Sequence, residues 1–226
     1  MSAGFRLLVF DWDGTLMDSI GSIVECARAA ALELGIEPAA EEVMRSAVGL
    51  GLADTVERLL PGAGPEEARR MVDAYRRHWV ETYRARPRLY PGTAEVLDEL
   101  GRSGYLLALA TGKGRRGLDH DLAATGLAGR FLATRTADEA PSKPHPKMLL
   151  DLLDELGAGP AESLMVGDSR WDLEMAKNAG VAAVAVATGT WPRHELAGYG
   201  PLATLGGVAE LPGWLRRGLQ GSTARR

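Results

Sequence analysis

The chain has 226 residues, 46% hydrophobic and 25% charged, so it carries enough apolar material for a packed core and is not a disordered polymer. Its 26 basic and 30 acidic side chains leave a net charge of −4, with no overall electrostatic footprint for nucleic acid or an anionic membrane surface. The single cysteine, Cys26, excludes a disulfide framework and any cysteine-cluster zinc site, and favours a reducing, cytoplasmic setting.

The first apolar run, residues 7–10, is too short for a signal-peptide core, and no stretch approaches the roughly 20 apolar residues of a membrane span. It reads as a buried strand that delivers Asp11 and Asp13 to its C-terminal tip. A helix follows: Ser19 is the expected N-cap, Ile20, Ile23, Val24, Ala27, Ala31 and Leu34 recur at helical spacing, and Gly35 supplies a stop. Cys26 falls in this pattern as a small packed side chain. Further helical patterns cover 41–48, 53–60 and 65–83, with Pro65 suited to a first turn. The arginines at 69, 70, 76, 77, 84, 86 and 88 are interleaved with Glu66, Glu67, Asp73 and Glu81 and read as a solvated helix face. Residues 17–87 are therefore expected to be all-helical.

After Pro91-Gly92 the pattern alternates. Strands are expected at 106–110, 130–134, 164–166 and 181–187, and helices near 93–100, 117–124, 146–156 and 172–178. Strands alternating with helices imply a parallel sheet with right-handed crossovers. The expected architecture is α/β: a Rossmann-like parallel-sheet core from 1–16 and 88–226, with an inserted helical domain at 17–87. Residues 221–226, small, polar or basic, are expected to fray.

Ligands of an open parallel sheet bind beyond the carboxyl ends of its strands. The expected strand ends carry Asp11-Trp12-Asp13-Gly14-Thr15, Thr111-Gly112-Lys113, Ser142-Lys143-Pro144 and Gly167-Asp168-Ser169, with Asp172 close behind. Asp11, Asp168 and Asp172 converging on one point need a cation or protons to neutralise them. Oxygen-only ligands favour a hard cation, Mg²⁺ foremost. A cation with a hydroxyl, backbone amides and one lysine forms a receptor for a phosphoryl group. Asp11 is placed to attack phosphorus, and Asp13 to give a proton to the leaving alcohol and later take one from water. Both can serve one site only if the chain bends at Trp12-Asp13, which Gly14 permits.

These segments, Asp11-Trp12-Asp13-Gly14-Thr15-Leu16, Thr111-Gly112, Lys143-Pro144-His145-Pro146 and Gly167-Asp168-Ser169-Arg170-Trp171-Asp172, resemble in order the four motifs of the haloacid dehalogenase superfamily. The inserted helical block resembles that superfamily's C1 cap, and the chain as a whole looks most like its phosphoglycolate phosphatase-like hydrolases. The resemblance implies Mg²⁺-dependent hydrolysis of a small phosphomonoester, with 2-phosphoglycolate the leading guess, through an aspartyl-phosphate. It implies Asp11 as nucleophile and metal ligand, and Asp13 as general acid/base that also offers its backbone carbonyl to the metal. Thr111 and the Gly112 amide would hold phosphoryl oxygens, and Lys143 would offset charge. Asp168 would bind the metal directly, and Asp172 through water or by orienting Lys143. Trp12 departs from the usual Leu or Phe and is expected to stay clear of the chemistry. Lys113, at a position where Asn is common, begins a run read as solvated loop and helix start, the alternative being that Lys113 or Arg116 faces substrate and biases its choice.

The glycines of residues 48–52 suggest a loop that reaches down to the site, and Arg45 and Arg58 beside it are candidates to read a substrate carboxylate. His145, between prolines, reads as a rigid helix entry. The expected partner is the small ester alone, with no nucleic acid and no membrane, the protein being a monomer or homodimer. The alternatives are a phosphosugar mutase on the same scaffold, or a non-catalytic phosphate-binding regulatory protein, against which the presence of both Asp11 and Asp13 argues.

Overall fold

The computed structural model describes residues 4–83 and 87–223. Arg84, Arg86 and residues 224–226 lie outside them. Strand β1 (Leu7–Phe10) is followed by α1 (Ile20–Glu33), α2 (Glu41–Ser46), α3 (Leu52–Leu59) and α4 (Pro65–His78), which continues into a π-helical turn (Trp79–Tyr83). The alternating part then runs α5 (Thr93–Arg102), β2 (Leu106–Thr111), α6 (Arg115–Thr125), β3 (Ala133–Thr136), α7 (Lys147–Leu156), β4 (Ser163–Gly167), α8 (Arg170–Asn178) and β5 (Ala182–Val186). It closes with α9 (Arg193–Ala197), β6 (Thr204–Leu205) and α10 (Leu211–Thr223).

The sheet is parallel throughout in the order β3-β2-β1-β4-β5-β6. Side chains alternate across a strand, and β1 shows the consequence: Leu8 and Phe10 join the cluster under α5, α6 and α10, while Leu7 and Val9 join the one under α7 and α8. Sheet order reverses between β1 and β4, so the crevice of this α/β sheet opens at the end of β1. A separate apolar cluster, including Val24, Ala30, Met44, Val56 and Met71, lies within the helices that follow β1.

Several expected elements move. β3 begins at Ala133 and not at 130, because the Arg130 amide closes a turn on the Leu127 carbonyl. β6 is only two residues long, and α9 buries only Leu196, so neither leaves a periodic signature. Residues 221–223 are the last of α10, and 224–226 of the segment expected to fray lie outside the described residues. Ser19 precedes α1 as expected but does not cap it, since its hydroxyl is engaged elsewhere.

Leu109, fully buried in β2, tests the central layer: Leu109→Ala should cost about 2–5 kcal/mol, read as a lower denaturation midpoint with an unchanged m-value.

Candidate active site

Beyond β1 the backbone folds back at once. The amides of Leu16 and Met17 both donate to the Trp12 carbonyl, at 3.0 and 2.9 Å, and the Gly14 amide donates to the Met17 carbonyl. This is the bend at Trp12-Asp13 that two cooperating aspartates require. Gly14 sits at φ 89°, and a Cβ there would lie 2.5 Å from Asp168 Oδ2, so the position tolerates only glycine.

Asp11 is 1% exposed, and Lys143 Nζ donates to its Oδ1 at 2.5 Å and to Asp172 Oδ1 at 2.6 Å. Asp172 is fixed in turn by the Ser169 amide and hydroxyl on its Oδ2, at 3.1 and 2.6 Å. Asp168 accepts from Thr15 Oγ1 at 2.8 Å. One carboxylate oxygen from each of Asp11, Asp168 and Asp172 lies within 4.8 Å of the others. Lys143 comes from the loop between β3 and α7, several residues past the strand end where the sequence suggested it.

Burial, reinforced by Asp172 and only partly offset by Lys143, raises the Asp11 carboxyl to about 7. Burial and the neighbouring carboxylates of Asp11 and Asp172 push Asp168 well above the usual range. Burial alone would lower Lys143, but Asp11 and Asp172 outweigh it and hold the ammonium above its ordinary value. One ammonium thus faces three buried carboxyls, and Asp11 Oδ2 is buried without a hydrogen-bond partner among the described residues. Oxygen-only donors, surplus negative charge and an orphaned carboxylate oxygen fit a hard divalent cation.

Asp13 belongs to a second cluster. Its Oδ1 accepts from Ser19 Oγ at 2.7 Å, and Lys113 Nζ reaches both carboxylate oxygens at 3.1 and 3.2 Å. The same ammonium lies 3.4 Å from Asp121 Oδ2 and 4.6 Å from the centre of the Trp79 ring. Asp121 also accepts from Trp12 Nε1 at 3.1 Å. Lys113 is therefore a half-buried ion-pair partner and not part of a solvated loop. Trp12, expected to stay clear of the chemistry, bonds to Asp121 and not to Asp11 or Asp13. Asp121 itself escaped sequence reasoning, although it shares the buried face of α6 with Leu118 and Leu122 and so stood out as an acid at an apolar position.

Thr111 is buried at the end of β2, its Oγ1 accepting from the Lys113 amide at 3.1 Å. At Gly112 a Cβ would come within 2.4 Å of the Gly49 and Leu50 carbonyl oxygens, so the loop between α2 and α3 lies directly on this strand end. Gly51 N–H donates to Ser142 Oγ at 2.8 Å, and Trp171 Nε1 to the Ser46 carbonyl at 2.9 Å. The loop reaches down to the site as its glycines suggested. The arginines beside it do not: Arg45 pairs with Glu41 at 3.7 Å, and Arg58 donates to Ser46 Oγ with its guanidinium over the Trp171 ring. His145 is exposed and accepts from the Lys147 amide. Cys26 is buried, and burial pushes its thiol up to about 12.

A family model described as haloacid dehalogenase-like hydrolase matches residues 8–186. The chain is 31% identical to a phosphoglycolate phosphatase of Haemophilus influenzae, over 84% of this chain and 88% of that protein. It is 35% identical to the Dickeya dadantii protein named probable phosphatase IndB, over 92% of each. A Haemophilus somnus structure described as a predicted phosphoglycolate phosphatase superposes with a TM-score of 0.82 at 26% identity, covering 92% of this chain and 96% of that one. No helix among the described residues is long and apolar enough to cross a membrane.

The carboxylate cluster makes a prediction about metal and pH together. With its pKa raised from 3.8 to about 7, Asp11 keeps a proton in the folded chain that the unfolded chain releases, so metal-free stability falls as pH rises through this window. A divalent cation bound to the carboxylates would take the proton's place. Thermal melts should therefore show Mg²⁺ raising Tm more at pH 8 than at pH 5, with EDTA reversing the shift and Asp168→Asn removing it.

Proposed function

The chain belongs to the haloacid dehalogenase-like hydrolases and is a phosphoric monoester hydrolase, and on that premise we propose that it hydrolyses a small-molecule phosphomonoester with Mg²⁺ through a phosphorylated Asp11. The observation that carries this reading is the buried Lys143 ammonium bonded to Asp11 and Asp172, beside an Asp11 oxygen with no partner.

In the proposed mechanism the Asp11 carboxylate attacks phosphorus, a new P–O bond forms to Asp11, and the bond to the ester oxygen breaks. Asp13 gives its proton to the departing alcohol oxygen. It then takes a proton from the water that attacks the acyl phosphate and releases inorganic phosphate. Ser19 and Lys113 position the Asp13 side chain for both transfers. Thr111 Oγ1 and the Gly112 amide are proposed to receive phosphoryl oxygens, and Lys143 balances their charge and keeps Asp11 aligned. Asp11, Asp168, the Asp13 carbonyl and, directly or through water, Asp172 would hold the Mg²⁺, which when bound offsets the charge of the phosphoryl group.

Residues 17–87 are proposed to act as a cap over a core made of 1–16 and 88–226, with residues 48–52 closing the site from bulk water. A cytoplasmic setting accords with Cys26 being reduced. 2-Phosphoglycolate, the ester named by several relatives, is the reference substrate.

Phosphate release from 2-phosphoglycolate and para-nitrophenyl phosphate, with Mg²⁺ and with EDTA, tests the reading. Asp11→Asn should lower kcat by about 10⁴-fold or more, and Asp13→Asn by about 10²–10⁴-fold. Retained turnover in Asp11→Asn would remove the nucleophile, and isomerisation of a sugar phosphate without free phosphate would assign a mutase instead. Gly112→Ala should cost about 10²-fold in kcat/KM, because its methyl would force the 48–52 loop off the site.

A further inference from the structure

Asp121 has no place in the mechanism above, yet it is a buried acid on the face of α6 that also buries Leu118 and Leu122. A carboxylate is costly in such a place unless charge and hydrogen bonds hold it. Trp12 Nε1 donates to its Oδ2 at 3.1 Å, and Lys113 Nζ lies 3.4 Å from the same oxygen. That ammonium also reaches both Asp13 oxygens, at 3.1 and 3.2 Å, and the face of the Trp79 ring at 4.6 Å from its centre. Asp13 and Lys113 line the cavity above the carboxylate cluster, whereas Asp121 is not among its described lining residues. Asp121 is thus connected to the reacting atoms only through Lys113.

The charges of this trio depend on the state of Asp13. With both acids ionised the three groups carry one surplus negative charge, and with a proton on Asp13 they are neutral. An uncharged side chain at 121 would reverse the balance. Ionised Asp13 would then neutralise Lys113, and protonated Asp13 would leave the ammonium without either carboxylate. A buried charge stripped of its partner is strongly unfavourable, so the ammonium would pin Asp13 in its ionised form. With Asp121 present, the proton-carrying form of Asp13 is the balanced one.

We propose that Asp121 is a positioning residue for the proton transfers, the standing counter-ion of Lys113 that lets Asp13 release and regain a proton without leaving the ammonium unpaired. This rests on the phosphatase reading above and deepens it. In the first transfer the Asp13 O–H proton moves to the ester oxygen as the bond from that oxygen to phosphorus breaks. The new carboxylate then meets an ammonium already in place. In the second, the attacking water returns a proton to Asp13 as its oxygen bonds to phosphorus, and Lys113 falls back on Asp121.

The test uses the full chain with Mg²⁺ and reads kcat/KM for 4-nitrophenyl phosphate, whose leaving group departs without a proton, and for ethyl phosphate, whose leaving group needs one. Asp121→Asn keeps an acceptor for Trp12 and removes the charge, and should raise the 4-nitrophenyl-to-ethyl ratio about tenfold or more. Equal losses on both esters, the mark of a purely structural role, overturn the proposal. Asp121→Glu keeps the charge and should hold the ratio within about threefold of the unmodified enzyme. A folded Asp121→Glu with the ratio of Asp121→Asn also overturns it. In a Lys113→Met background there is no ammonium to hold, so adding Asp121→Asn should move the ratio by less than about threefold, and a further tenfold rise counts against the assignment. That comparison stands even where Asp121→Asn does not fold by itself. Should the unmodified enzyme release phosphate from neither ester nor from 2-phosphoglycolate, the phosphatase reading fails, and thermal melts decide the charge link. The Tm losses of Lys113→Met and Asp121→Asn should then be less than additive in the double variant, and additive losses overturn the link.

Discussion

One buried ammonium surrounded by carboxylates sets the terms for the rest of the molecule. Lys143 touches Asp11 and Asp172 with no exposure to solvent, and Asp168 stands within reach of both acids. Charges taken out of water are costly unless each is paired and hydrogen-bonded. The surroundings accordingly consist of groups that hold these acids: Thr15 on Asp168, Ser169 on Asp172, and a glycine backbone where any side chain would collide with them. The parallel sheet brings the ends of β1 and β4 side by side, which lets residues far apart in the chain share that arrangement. The surplus negative charge that remains is what fits the place to a hard cation.

The site was legible in the sequence to the extent that its chemistry lies within short segments at strand ends. Asp11, Thr111, Asp168 and Asp172 each follow an apolar run closely, so the sheet rule alone brings them near one another. Lys143 has no such marker, because it sits on a loop past β3 and reaches Asp11 through tertiary folding alone. The supports of Asp13 were hidden for a related reason. Ser19 has the residue type and position of a helix cap, and local pattern cannot show that its hydroxyl turns instead to a carboxylate six residues back. Lys113 lies in a run of glycines and arginines that looks solvated until Asp121 and Trp79 close around it. Among the elements, the long amphipathic helices were readable from their period, whereas β6 and α9 are too short to have one.

The two halves of the site are built on different physical principles. Below, Asp11, Asp168 and Asp172 are held in position by charge and hydrogen bonds. Above, the helices that follow β1 contribute apolar, aromatic and polar side chains together to the cavity lining. The Gly49–Leu50 backbone on Gly112 and the Trp171 bond to Ser46 join the two, so chemistry and recognition meet along one short loop.

The position of β1 also bears on how the chain reaches this state. Leu7 pairs with Leu106 on one side and Ser163 on the other, so a central strand of the sheet is synthesised before either neighbour and gains the second only with β4. A nascent chain emerging from the ribosome exposes that greasy segment until β2 has arrived, and leaves one edge bare until β4 follows. Contacts this distant in sequence make for slow assembly, and the helices in between, by condensing locally, shorten the span the two ends must search. The chain between β1 and β2 thus folds into helices of its own before the strands that flank it can pair.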